Sequence, residues 1–261
     1  MAVPLEFSEI LSFTQDDDSA WILQGLYSGL IMQFRFEQFP ALSAIGICRH
    51  VFTQRIPGID LSHDKAEVLE RLDAGHRKIR RLIGLGEWPL FTVEQVHGNE
   101  IAVIECSATS AVPTVVDGRE FPDSDGIVTN QRGLALGIYV ADCCAVYIAD
   151  PKTPAIGVVH SGRKGTALGI VTNAIRKMTE RFGSDPRNMI VQLSPCIRPP
   201  HYEIDFASEI IRQCHALSVQ YIHDTGTCTA CQLARYYSYR AERGKTGRML
   251  AVLGLDPAIP V

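Results

Sequence analysis

Three apolar, β-prone runs at residues 134–140, 145–148 and 155–159 follow one another with only a few residues between them. A strand that returns parallel to its neighbour needs a crossover of a dozen or more residues. These connections are too short for that. The strict β-α alternation of a doubly wound sheet or a barrel is excluded. Runs of the same character lie at 45–52, 91–96, 101–104, 189–193 and 249–255. Between 65 and 85, Val68, Leu72, Ile79 and Ile83 recur at helical spacing, and Ile170, Ala174, Met178 and Phe182 do so between 166 and 182, where Gly183 stops the helix. Further helices are expected at 206–217 and 229–242. The expected fold is α/β, with mixed sheets covered on their outer faces by helices.

Composition narrows the function classes. Hydrophobic residues make up 46% and charged residues 21% of the 261 positions, and the net charge is −4 without a long run of either sign. A nucleic-acid or anionic-membrane partner is therefore not expected. Arg77, Lys78, Arg80 and Arg81 are read as one solvated helix face. The longest apolar stretch, near 21–32, is too short to span a bilayer, and no export signal is expected from the residues that open the chain. Eight cysteines in a chain this long do not form a disulfide framework. Cys48, Cys106 and Cys214 are read as small core residues, and the expected setting is a reduced cytoplasm. Nothing compels an assembly beyond a monomer. Residues 1–40 read as an N-terminal element outside a motif-bearing domain at 41–261, with a short helix following Asp16-Asp17-Asp18.

Three segments carry chemistry. Gln95-Val96-His97-Gly98, Ala141-Asp142-Cys143 and Val159-His160-Ser161-Gly162 each place a metal-ligating side chain beside an apolar run. Two imidazoles and one thiolate are a nitrogen/sulfur donor set suited to zinc, and three protein ligands leave a fourth position open. The same donors also hold copper in electron-transfer sites. However, a multicopper oxidase needs clustered histidines, and the chain has eight without such a pattern. Cys144 follows Cys143, so strand alternation points the two thiols to opposite faces. Asp142 either orients a ligand or bonds nearby amides. The loop from Ser161 into the following helix offers backbone N–H groups and Lys164 to an anion, with Thr166 a potential helix cap. Cys228-Thr229-Ala230-Cys231 is a single C-x-x-C and is assigned no metal.

Together these segments resemble the laccase-domain family, also called YfiH-like or polyphenol-oxidase-like. The landmarks occur in family order: Phe52-Thr53-Gln54-Arg55, QVHG at 95–98, SDGIVT at 124–129, ADC at 141–143, VHSG at 159–162, PCI at 195–197, YE at 202–203, CT at 228–229, SYR at 238–240 and TGRM at 246–249. The resemblance implies a layered α/β/β/α sandwich and a zinc-dependent purine nucleoside phosphorylase. The activities it implies are phosphorolysis of adenosine, inosine, guanosine or methylthioadenosine, and deamination of adenosine, with a purine nucleoside and inorganic phosphate as partners. It places the metal on His97, Cys143 and His160. Cys143, Asp142 and Glu203 are then the expected catalytic groups, and Arg55, Lys164 and Arg240 the expected phosphate-binding cations. A copper-dependent polyphenol oxidase and a non-catalytic binding protein are the alternative readings. The chain departs from the family pattern after His160, where Arg163 replaces an aromatic residue and Lys164 an arginine, so a planar two-pronged donor is lost at 164. The segment between Glu203 and Cys228 is also shorter than usual.

Overall fold

A computed structural model describes residues 12–15, 21–27, 30–105 and 120–257, the first two segments and residues 30–33 through their backbone alone. In chain order the elements are β1 (Ser12–Gln15), β2 (Trp21–Tyr27), β3 (Leu30–Glu37), α1 (Pro40–Ser43), β4 (Cys48–Thr53), α2 (Lys65–Leu82), β5 (Leu90–Val93), β6 (Ile101–Ile104), β7 (Glu120–Phe121) and β8 (Gly126–Thr129). They continue with β9 (Ala135–Val140), β10 (Cys144–Asp150), β11 (Ala155–Ser161), α3 (Arg163–Ala167), α4 (Ile170–Phe182), β12 (Ile190–Leu193), α5 (Phe206–Ala216), β13 (Tyr221–Asp224) and β14 (Met249–Leu255). Eight strands form one sheet in the order β1-β2-β3-β4-β14-β9-β5-β7, and six form another in the order β13-β12-β10-β11-β8-β6. Both sheets are mixed. β5 runs parallel to β9, and β6 to β8, while β9, β14 and β4 are antiparallel. The sheets face each other, α2 covers the larger one, and α3 to α5 cover the smaller: an α/β/β/α sandwich.

Alternation along β10 builds the two cores. Ala145, Tyr147 and Ala149 point into the space between the sheets, whereas Cys144, Val146 and Ile148 face the helices. The buried Tyr147 hydroxyl crosses between the sheets and donates to the Val51 carbonyl at 2.9 Å. The three successive runs of the sequence separate accordingly. β9 belongs to the large sheet, β10 and β11 pair in the small one, and residues Ala141, Asp142 and Cys143 make the crossing between them.

Several sequence expectations change. The short helix after Asp16-Asp17-Asp18 would lie at 16–20, outside the described residues, as does Cys106; Cys48 and Cys214 are buried. The apolar stretch near 21–32 lies largely in a β-hairpin, β2 paired with β3, and β3 joins the large sheet through Phe36 opposite Thr53 and Glu37 opposite Phe52. The expected helix at 166–182 starts earlier and is divided, because Gly169 adopts φ +75 between α3 and α4. Gly183 does close α4 in the left-handed conformation, its N–H donating to the Thr179 carbonyl. Gly162 caps α3, so Thr166 lies inside that helix and not at its cap; its hydroxyl bonds Ser161 at 2.7 Å.

The helix expected at 229–242 is replaced by one 3₁₀ turn, Thr229–Cys231, and a series of turns. Several of its backbone donors find partners outside a helical ladder: Tyr237 N on Met249 Sδ, Ser238 N on Glu242 and Arg240 N on Asp142. Arg80 is also not solvated. It is buried and donates to the carbonyls of Leu85 and Trp88 at 3.1 and 2.6 Å, tying down the end of α2. Among the described residues no helix is long and apolar enough to cross a membrane.

The bond between the sheets is testable. Tyr147→Phe keeps the ring and removes the hydroxyl, so urea unfolding should show a loss of about 1 kcal/mol with an unchanged m-value. An unchanged midpoint would mean that the hydroxyl does not join the sheets.

Candidate metal centre

The site lies where the chain crosses between sheets. His97 follows β5, Cys143 immediately precedes β10, and His160 lies near the end of β11. Each strand ends near the same edge of the sandwich, which is how residues so far apart in sequence converge. Their donor atoms lie within 4.8 Å of one another. The two imidazoles meet edge to face with ring centres 4.8 Å apart. Cys143 and Cys144 face opposite ways: Cys143 lines the cavity described below, while Cys144 is buried in the helix-side core.

One carboxylate holds both histidines. Asp125, fully buried just before β8, accepts from His160 Nδ1 at 2.8 Å and from the backbone N–H groups of His97 and Gly98 at 2.8 and 2.6 Å. Its own carbonyl accepts from the His160 N–H at 2.7 Å. With Nδ1 facing the carboxylate, the other ring nitrogen of His160 is presented to the site. Asp125 lies within SDGIVT, but its role went unrecognised in the sequence. The available signal was an acidic residue immediately before an apolar run.

Backbone strain is concentrated here. Gln95, His97 and Asp142 have φ of 65, 61 and 81, a left-handed conformation unusual for residues with side chains. Each is held by hydrogen bonds. The Gln95 carboxamide grips the N–H and carbonyl of Tyr139 at 2.9 and 2.6 Å, and the His97 N–H is held by Asp125. Asp142 accepts the Thr229 hydroxyl on one oxygen and the Arg240 N–H on the other, both at 2.7 Å. Asp142 therefore bonds neighbouring groups and does not orient a histidine. Gly162 is required by proximity, since a Cβ there would stand 2.5 Å from the Cys143 sulfur.

Cys143 and His160 shift each other's protonation. Burial alone would raise the Cys143 thiol, but the His160 charge and hydrogen bonds from both imidazoles bring it down to about 6. Burial opposes the charge on His160, yet the Cys143 thiolate and Asp125 raise it to about 9. Asp125 is likewise held below the usual carboxylate range despite its burial, through His160 and the two backbone donors. A thiolate and two imidazoles converging in this way fit zinc, with the open side toward the cavity.

That cavity has a volume of about 630 Å³ and is lined by the cations Lys65, Arg163, Arg240, Arg243 and Arg248. Asp142 is the only carboxylate among the described lining residues, and both of its oxygens are already engaged. Aromatic rings complete the walls, with Arg240 over Tyr202 at 5.5 Å and Arg248 over Tyr239 at 5.8 Å. Of the expected phosphate-binding cations, only Arg240 lines this space. Arg55 lies outside it, paired with Glu242 at 2.8 Å and stacked over Tyr237 at 4.4 Å. Lys164 is exposed and outside the lining, while its neighbour Arg163 faces the cavity. Glu203 is exposed at the rim, 3.4 Å from Arg240 and 3.8 Å from Arg163.

The fold and the His-Cys-His cluster define a layered α/β protein with a candidate metal centre open to a cationic cleft. The chain matches the model of the family described as multi-copper polyphenol oxidoreductase laccase over residues 46–216 and 204–256, and it belongs to that family. A Corynebacterium glutamicum protein named purine nucleoside phosphorylase is 29% identical over 241 residues, covering 79% of this chain and 94% of that protein. A Bacillus subtilis protein named purine nucleoside phosphorylase YlmD is 27% identical over 166 residues, covering 52% of this chain and 60% of that protein. The crystal structure of YlmD from Geobacillus stearothermophilus superposes with a TM-score of 0.68 at 22% identity, covering 86% of this chain and 96% of that one.

Adjacent thiols on opposite faces give a direct test. Cys143→Ala should abolish zinc binding at this cluster, whereas Cys144→Ala should keep the metal and lower stability by about 1 kcal/mol. Asp125→Asn should weaken zinc binding by roughly 10- to 100-fold. Chelator competition and urea unfolding measure both quantities, and loss of this metal in Cys144→Ala alone would overturn the ligand assignment.

Proposed function

We propose that this protein is a zinc-dependent purine nucleoside phosphorylase that also deaminates adenosine. The observation that carries this reading is the His97-Cys143-His160 cluster opening onto a cleft lined by five cations and several aromatic rings. The names of the relatives point the same way. In this reading His97, Cys143 and His160 hold zinc, which when bound supplies a Lewis acid beside the substrate. Zinc is favoured over copper because the other described histidines do not gather into a further multi-histidine cluster.

The side chains divide the remaining work. Adenosine, inosine, guanosine or methylthioadenosine enters the cleft with its base against Tyr202 and Tyr239, rings that the arginines stack upon. Inorganic phosphate is held by Arg163, Arg240 and Arg248 through charge-assisted bonds, in a position to attack the ribose carbon as the purine leaves. Arg163 takes over the contribution expected of Lys164, and its planar guanidinium provides the two-pronged contact a lysine lacks. Arg55 has a structural role with Glu242. Asp142 positions Cys143 and Arg240 through its two hydrogen bonds. Glu203, exposed between Arg163 and Arg240, carries protons to and from the purine.

Zinc-loaded protein at micromolar concentration should convert adenosine to adenine and ribose 1-phosphate only when phosphate is supplied, and to inosine without it. Chromatography separates these products. Arg163→Ala should raise the KM for phosphate about 10-fold, equivalent to ~1.4 kcal/mol, while leaving inosine formation unchanged. The absence of all three products from wild-type protein would overturn this reading.

A further inference from the structure

Outside the cleft, a second group of soft donors is brought together. His201, Cys228 and Cys231 offer an imidazole nitrogen and two sulfurs, all within 4.8 Å of one another. The Cys231 sulfur lies 3.5 Å from His201 Nδ1 and the Cys228 sulfur 3.9 Å from it. Both cysteines are free thiols. The 3₁₀ turn Thr229–Cys231, which Cys228 caps, folds the second sulfur of the C-x-x-C back beside the first. Proximity in sequence accounts for that much; the third donor comes from a separate segment.

The two segments are already fastened to each other. Cys196 and Cys228 form a parallel bridge, in which the Cys196 N–H donates to the Thr227 carbonyl and the Thr229 N–H to the Cys196 carbonyl, each at 3.2 Å. Arg198 ties its own loop to the same strand end through the Thr227 carbonyl and the Asp224 carboxylate. The donors are thus pre-positioned by contacts that do not involve the sulfurs. His201 and Cys231 are exposed and Cys228 is half-buried, so an ion can reach them from solvent.

We propose that His201, Cys228 and Cys231 form a second zinc site, separate from the His97-Cys143-His160 cluster. Two thiolates and an imidazole select a borderline-soft cation over magnesium or calcium, which require oxygen donors. Binding displaces the two thiol protons to solvent. Water or a donor from another molecule completes the tetrahedron. The location gives the site a structural role. His201 precedes Tyr202 on the cleft wall, and Thr229, within the C-x-x-C, holds Asp142 next to Cys143. An ion bridging His201 to the two cysteines clamps this wall from behind.

The test is metal stoichiometry in the reduced, chelator-stripped full chain, titrated with zinc against a chromophoric indicator and separately with cobalt. The wild type should take up two equivalents of zinc, and Cys231→Ser and His201→Ala one each. Because both altered residues are exposed, these variants are expected to fold, which circular dichroism checks. The cobalt protein should lose intensity in its thiolate charge-transfer band in Cys231→Ser, with the remainder belonging to Cys143. Two equivalents retained in Cys231→Ser would overturn the proposal, as would a single wild-type equivalent that disappears in Cys143→Ala. A single equivalent that survives Cys143→Ala and disappears in Cys231→Ser would support the second centre while sinking the first. No step of the test relies on nucleoside turnover.

Discussion

A carboxylate with no access to solvent holds the site together. An ionised group buried without partners is strongly unfavourable, so its surroundings must supply donors. Asp125 receives them from an imidazole nitrogen and two consecutive backbone N–H groups, contributed by β11 and by the turn after β5. Those bonds fix the His160 ring and the path of the chain at His97 together. The carboxylate also favours a positive charge on His160, which in turn favours the Cys143 thiolate. The positions of both histidines and the electrostatics of the cluster therefore depend on the same two oxygens.

The cleft follows from how the sandwich is wired. Between β9 and β10 the chain leaves one sheet and enters the other, and the short crossing cannot remain in a regular strand. Asp142 takes up the turn with a left-handed backbone, and its carboxylate fastens the crossing to Thr229 and Arg240. Gln95 performs a similar task on the opposite wall, its carboxamide continuing the edge of β9 where β5 ends. Strained residues held by specific hydrogen bonds thus border the ligands on two sides. Cations fill much of the remaining rim, and with the one lining carboxylate already engaged, the space favours an anion.

The second donor cluster shares this wall. Thr229 lies between Cys228 and Cys231 and donates to Asp142, so one side chain links the surface cluster to the crossing. The small-sheet edge here is thin, with β13 exposed along most of its length. Little hydrophobic burial is available to fix it, which is where a metal clamp has the greatest structural effect.

Much of the architecture was legible in local pattern. The strong apolar runs became strands, α2 appeared where helical spacing placed it and α5 where a helix was expected, and the motifs at His97, Cys143 and His160 indicated a nitrogen/sulfur cluster. The separation of Cys143 from Cys144 matches strand alternation, although Cys143 lies in the crossing just before β10 and only Cys144 lies within the strand. Local pattern failed where hydrogen-bond partners were distant in sequence. The segment after Thr229 has helix-compatible residues, yet the backbone donors of Arg240 and Tyr237 are taken by Asp142 and Met249. The same reason explains the cations. Arg55, Lys164 and Arg240 are equal as positive charges in a sequence, but Glu242 and Tyr237 hold the first, α3 turns the second outward, and only the third lines the cleft, beside Arg163 and Arg248. The sequence by itself determined which chemistries were present and which strands could exist. Only the tertiary structure decided which of those side chains met, since strand order, the crossing between sheets and the burial of Asp125 arise from contacts that no sequence spacing records.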